Sequence, residues 1–203
     1  EDGIVMDDGT TTRISENHYH MTTTTAQAAN VLSHLEYYLQ IVWPELNVNV
    51  VSTTEQWAGA ALAGPKSRNV LSKLFPDLDV TNEGLPFMGY TKGKLFGIDA
   101  KIFRISFSGE LAYEINVKSN NGLFMWEKII EIGKEFNMQP YGTEALSTLR
   151  IEMGHVAGPE LDGRTIPYDV SLDGMVSKKK DFIGKRSLQK EAFIKEDRQK
   201  IVG

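Results

Sequence analysis

The stretch FSGELAYEINV (107–117) decides the fold class. Leu111, Tyr113, Ile115 and Val117 alternate with Glu110, Ala112, Glu114 and Asn116, the period-two pattern of a strand with one apolar face. Its polar side gathers Ser108, Gly109, Glu110 and Glu114, with little positive charge alongside. A carboxylate at such a place either sits in water or holds something. The strand pattern alone leaves both readings open.

Working outward, residues 98–107 predict a partner strand joined tightly through Ser108-Gly109, and Asn120-Asn121-Gly122 predicts a turn. A helix is expected from about 122 to 136, burying Leu123, Trp126, Ile129, Ile130 and Phe136, and a second over about 143–153 with Leu146, Leu149 and Ile151. Upstream, strands are expected over 4–14 and 18–24, joined by the turn residues SEN. Thr24 and Gln27 have capping-box spacing ahead of an apolar stripe, Ala28, Val31, Leu32, Leu35, Leu39 and Val42, which Pro44 stops. Residues 47–52 and 56–64 read as strands, Gly64-Pro65 opens a short helix with Val70, Leu71 and Leu74 inward, and 75–97 reads as loop. From Gly154 onward the chain is loop-rich. The order ββαββα, then ββαα, predicts an α+β fold of largely antiparallel sheets with packed helices, organised as ferredoxin-like split βαβ units. The expected division is 1–80, 81–195 and a terminal piece, 196–203.

Composition sets outer limits. The 203 residues are 41% hydrophobic and 24% charged, with net charge −5. Mild acidity and one interrupted basic run, SKKKDFIGKR (177–186), argue against a nucleic-acid grip. The absence of cysteine excludes disulfides, a thiol nucleophile and thiolate metal sites, and fits a reducing, cytoplasmic setting. No apolar run reaches the ~18 residues of a membrane span. The first residues, EDGIVMDDG, lack an initiator Met and the chain stops at RQKIVG, so both ends read as cuts in a longer polypeptide.

The chemistry inventory is short. His18 and His20 share a strand face but lack a third ligand at metal spacing, so no metal site is expected. GKLFG (93–97) is a turn rather than a dinucleotide fingerprint, and no phosphate loop or nucleophile elbow is present. Asp7-Asp8-Gly9 is either an aspartate pair capping a turn or a crowded carboxylate pair suited to a general base or to steadying a cation. Glu114 is either solvated or a planar pair of acceptors matched to a ligand with two parallel N–H donors, as in an aminopyrimidine. Tyr113 points to the other face of the strand, and Arg150 interrupts an apolar helix.

Taken in order, DDG, TTTTAQAANVL with LEYYLQIVWPELNV, TTEQWAGAALAGPKSRNVL, FSGELAYEI, PYGTEALSTLRIEMG and KKDFIGKRSL resemble the folate-dependent aminomethyltransferase family. That family includes the glycine cleavage T-protein, dimethylglycine dehydrogenase and sarcosine oxidase. EYYLQIVWPELNV and TTEQWA resemble its branch in the C-terminal part of the heterotetrameric sarcosine oxidase alpha subunit. The resemblance implies that Asp8 lies at the reacting carbon and that Glu114 binds the pterin of tetrahydrofolate. It matches Glu110, Tyr113 and Arg150 to the same motifs with less definite roles. It further implies capture of the imine from oxidative demethylation of sarcosine, giving glycine and 5,10-methylenetetrahydrofolate. Other oxidase subunits are the implied partners, with flavin and NAD held elsewhere in the complex. A free-standing aminomethyltransferase and a non-catalytic folate-fold binding or assembly module are the alternatives. One departure stands out: T-proteins carry an Arg where this chain has Leu146. RQKIVG resembles the first strand of the family's C-terminal barrel.

Overall fold

The computed structural model describes residues 1–201 as two compact units, Glu1–Val50 with Val156–Gly203, and Val51–His155. The expected division at residue 80 falls inside the second of these.

In the first unit, β1 (Thr11–Ser15) and β2 (His18–Met21) form an antiparallel hairpin, offset by an irregularity between Arg13 and Ser15. Residues 4–10, expected as strand, run ahead of it as irregular chain. Helix α1 (Ala28–Tyr37) follows a short 3-10 turn at Thr25–Gln27. The capping box is not made. The Thr24 hydroxyl and backbone N–H both donate to Asp7, at 2.9 Å each, so the side chain is turned to Asp7 and makes no cap at the helix end. The stripe is real, with Val31, Leu32 and Leu35 half-buried, and it closes in a wide turn at Tyr38–Val42 where Trp43 N–H donates to the Tyr38 carbonyl. Residues 47–52 form no strand: they extend without a ladder among the described residues, and Val51 is 76% exposed. In the C-terminal part, buried Asp169 accepts from the Ile166 N–H at 3.0 Å and from the Arg198 guanidinium. Ile201 N–H donates to the Asp169 carbonyl at 2.7 Å, and the last two residues of the expected barrel strand lie outside the described residues.

The second unit is built on β3 (Trp57–Ala63), β4 (Tyr90–Leu95), β5 (Ile98–Phe103) and β6 (Ala112–Lys118). They form one antiparallel sheet in the order β3-β6-β5-β4, in keeping with the expected fold class. Helices α2 (Ser67–Leu74) and α3 (Gly122–Gly133) pack on one face, and α4 (Thr143–Glu152) follows. The core joins Val70, Leu71 and Leu74 of α2 and Met125 and Ile129 of α3 to Leu62, Ile102, Ile115 and Val117 of the sheet.

Strand β4 was hidden in the expected loop because its core-facing positions are Thr91, Gly93 and Leu95, only one of them large and apolar. A Cβ at Gly93 would stand 2.7 Å from Leu78 Cδ1 and 2.9 Å from Phe75 Cδ1, so only glycine lets those side chains reach the sheet. Phe96 and Gly97 take φ of 48° and 91°, as a two-residue mirror-image hairpin turn demands. Helix α3 docks on a line rotated from the expected one: Leu123 is 71% and Trp126 48% exposed, whereas Met125, Ile129 and Gly133 are buried. Glycines set that line. A Cβ on Gly122 would lie 2.8 Å from Ala58 Cβ, and one on Gly133 would meet Met138, so the helix comes closest where it has no side chain.

Candidate functional site

Paired residues of an antiparallel sheet point to one face, so the register defines the site. Tyr90 pairs Phe103, Phe103 pairs Glu114 and Glu114 pairs Ala61, a single row across all four strands. The next row holds Lys92, Lys101, Asn116 and Gly59. Both rows lie on the face turned away from the core residues Tyr113, Ile115 and Val117.

Glu114 is half-buried there, and burial pushes its carboxyl above the ordinary value; a hydrogen bond with the Asn116 side chain partly offsets this. Beside it β3 contributes almost no side chain, and Gly59 and Ala61 leave exposed backbone. The space at Gly59 belongs to Asn116, whose Oδ1 would stand 2.7 Å from an added Cβ. At the far end of the face, Lys101 and Lys118 lie 3.8 and 4.7 Å from the centre of the Trp57 ring. Burial, and then the charges of Lys118 and Lys92, push Lys101 down.

Five buried side-chain atoms in this unit lack a hydrogen-bond partner: Tyr90 OH, Arg104 Nε, Ser106 Oγ, Ser108 Oγ and Tyr113 OH. Buried polar atoms are nearly always paired; of these five, Tyr90 OH lies on the residue that shares the row of Glu114, whereas Tyr113 OH belongs to the core side of the sheet. The half-buried Glu114 carboxylate suits a polar heterocycle that presents paired N–H donors. The residues present fit a pterin.

The other sequence-predicted residues separate by position. Tyr113 is fully buried in the core on the opposite face from Glu114; burial pushes its hydroxyl up while the charges of Arg68 and Arg104 act the other way. Glu110 is exposed in the turn before β6. Arg150 is buried near the end of α4, and its Nη1 donates to the His155 carbonyl at 3.2 Å. His155 in turn stacks on Phe107 and bonds its carbonyl through Nδ1 at 2.9 Å, while Gly109, at φ 81°, leaves room for Met153. Arg150 thus braces the loop that leads into β6.

Asp8 belongs to the first unit, and the structure separates the two aspartates. Both Asp7 oxygens are taken by Thr24, whereas Asp8 accepts only from the neighbouring Gly9 N–H, at 2.8 Å. Gly9 is obligatory, since a Cβ would fall 2.0 Å from the Thr22 carbonyl oxygen. The turn therefore fixes Asp8 while leaving most of its acceptor capacity open. Two cavities, of about 760 and 980 Å³, are lined wholly by the first unit and contain none of the sequence-predicted site residues.

Sequence reasoning missed Tyr90, Asn116 and Gly59. Asn116 was within reach, two residues after Glu114 on the same strand face. Tyr90 carried no signal until β4 and its register were known.

This architecture is that of the aminomethyltransferase fold. The crystal structure of glycine cleavage system aminomethyltransferase T from Bartonella henselae matches 92% of this chain and 49% of its own with a TM-score of 0.74; at 24% identity the likeness is one of fold. The chain belongs to the family described as the GCVT N-terminal domain, whose model matches residues 1–180. It is 47% identical to the sarcosine oxidase subunit alpha of Rhizobium meliloti (strain 1021) and 49% identical to that of Corynebacterium sp. (strain P-1), covering 100% and 99% of this chain and 21% of each relative. An aminomethyltransferase of Chloroherpeton thalassium is 32% identical over 92% of this chain and 50% of its own. The chain thus spans about a fifth of the oxidase subunits and half of the aminomethyltransferase. These comparisons agree with the resemblance carried by the six segments.

Proposed function

We propose that this chain is the tetrahydrofolate-binding region of a sarcosine oxidase alpha subunit. There the imine left by oxidative demethylation of sarcosine is converted to glycine and 5,10-methylenetetrahydrofolate. The carrying observation is Glu114, a carboxylate half-withdrawn from water between exposed Ala61 on one side and buried Phe103 on the other, with Asn116 as its side-chain partner. Ionised, it offers two coplanar acceptors to paired N–H donors, and removal from water strengthens such charge-assisted bonds. Bound tetrahydrofolate supplies the nitrogen nucleophile that takes up the one-carbon unit. Glu114 orients it, and Asn116 positions Glu114. Asp8, held by its turn, accepts the proton released at the reacting nitrogen or steadies the cationic carbon. The higher identity to the oxidase subunits than to the aminomethyltransferase favours the oxidase setting over a carrier-protein substrate. The roles of Glu110, Tyr113 and Arg150 follow from their places: Arg150 braces the loop, Tyr113 fills the core, and Glu110 stands at the turn beside the site.

The test is a product ratio in the full enzyme with folate saturating. Asp8→Asn is expected to leave amine oxidation intact while methylenetetrahydrofolate formation falls about 100-fold, the usual contribution of a positioned general base. The uncaptured imine then hydrolyses to formaldehyde. A variant that delivers its one-carbon unit to folate at the wild-type ratio removes Asp8 from the chemistry.

A further inference from the structure

The sheet face that carries Glu114 also carries three lysines. Lys92 pairs Lys101 across β4 and β5, Lys101 pairs Asn116, and Lys118 lies two residues beyond Asn116 on β6. Among the described residues none of the three is in an ion pair, and Asp99, two residues before Lys101 on the same face, is taken by Lys94 at 2.6 Å. Trp57 pairs Lys118, and Lys101 Nζ and Lys118 Nζ lie 3.8 and 4.7 Å from the centre of its ring. The indole thus gathers two ammonium groups that repel each other, in a chain of net charge −5. Burial first, then the charges of Lys118 and Lys92, push Lys101 down, the mark of positive charge without an answering anion. Lys101 and Trp57 are half-buried and Lys118 is exposed, so the cluster is open to solvent. It is also within reach of Glu114. Lys118 lies four residues along the same strand, about 13 Å, and Lys101 two residues along and one strand over, about 8 Å. On the β3 side of that path only Gly59 and Ala61 intervene, both exposed.

We propose that Lys101 and Lys118, set against Trp57, form an anion subsite for the carboxylate end of the ligand whose heterocycle Glu114 holds. This rests on the reading of Glu114 as the pterin anchor and extends it to the length and charge of the ligand. Glu114 takes the paired N–H donors at one end. A rigid spacer ending in carboxylates follows the exposed face of β6 to the lysines, and tetrahydrofolate, with an aminobenzoyl spacer and two terminal carboxylates, has this form. Two ammonium groups beside a half-buried indole hold a carboxylate by charge-assisted bonds that are stronger than in open water. Trp57 fixes both groups before the anion arrives, so less side-chain freedom is lost on binding. The subsite therefore selects pterins with an anionic tail over bare pterins.

The experiment measures three ligands on the full enzyme by calorimetry: 5-formyltetrahydrofolate, its bis-amide with both tail carboxylates neutralised, and tail-less 6-methyltetrahydropterin. The proteins are wild type, the double variant Lys101→Met with Lys118→Met, and Glu114→Gln. Wild type is expected to prefer the dicarboxylate to the bis-amide at least tenfold, the worth of one charge-assisted contact. The double variant, which keeps unbranched apolar stems against Trp57, is expected to lose that preference and to hold the bare pterin within twofold of wild type. A wild type without the preference, or a double variant that retains it, overturns the inference. So does equal weakening of all three ligands, which makes the lysines a structural brace. If Glu114→Gln weakens all three ligands and the double variant keeps the preference, the Glu114 reading stands and the subsite fails. If wild type binds none of them, or Glu114→Gln binds the bare pterin as well as wild type, both fail.

Discussion

Glu114 and Asp169 show how surroundings turn like groups into opposite devices. Asp169 is answered: the Arg198 guanidinium, then the Ile166 N–H, hold its carboxyl below the ordinary range. Glu114 has only Asn116 against its burial, and its carboxyl is pushed up. The folded chain therefore keeps the Glu114 proton to higher pH than the unfolded chain does. Between the unfolded value, about 4.3, and the raised folded value, the native state binds more protons, so stability falls as pH rises. Glu114→Gln is expected to leave unfolding unchanged below this window and to raise the unfolding temperature at neutral pH. Thermal melts at pH 4 and pH 7 check it; a variant no more stable than wild type at pH 7 would show that the carboxylate is comfortably solvated.

At the scale of elements, glycines decide where the sheet and helices meet. The expected loop at 75–97 contained β4 because Gly93 breaks the apolar alternation at the point where Leu78 and Phe75 press on the sheet. Gly93→Val should overpack that contact and cost about 1–3 kcal/mol, measured by urea unfolding; a neutral result would mean the helix-side contact yields freely. The same logic explains what the sequence displayed and what it hid. Strands β3, β5 and β6 and helix α2 carry apolar periodicity over their own length, and their existence was legible from it. Helix α3 was legible as a helix, but its docking line was not, because Gly122 and Gly133 steer it and hydrophobicity gives glycine no direction. The 47–52 alternation, by contrast, predicts a strand that has no paired edge among the described residues. Glu114 could be found from the alternation of one strand, whereas Tyr90 needed a second strand and its register.

Over the whole chain, Glu114 in the second unit and Asp169 in the first carry opposite pH signatures. In the second, Glu114 removes stability as pH rises. In the first, Asp169 contributes stability above the ordinary aspartate value, about 3.9, that is lost as pH falls through its depressed folded value. Its partner Arg198 also rests over the Phe193 ring at 5.3 Å, so the C-terminal segment is held by charge and by packing together. Arg198→Met should cost about 2 kcal/mol, between an exposed pair and a fully buried one, and should flatten the acid limb of the stability curve. Hydrogen exchange resolved by residue would report the loss in the first unit, and loss confined to Val51–His155 would contradict it.

The central claim, that Glu114 grips a pair of N–H donors on a pterin, is tested most directly by removing each partner in turn. Tetrahydrofolate and its 2-desamino analogue are titrated into wild type and Glu114→Gln, giving four affinities and one coupling energy. The account predicts that either change alone weakens binding at least tenfold, and that the two together weaken it little further, because they break the same bonds. Losses that simply multiply would contradict it and place the 2-amino group somewhere other than against Glu114.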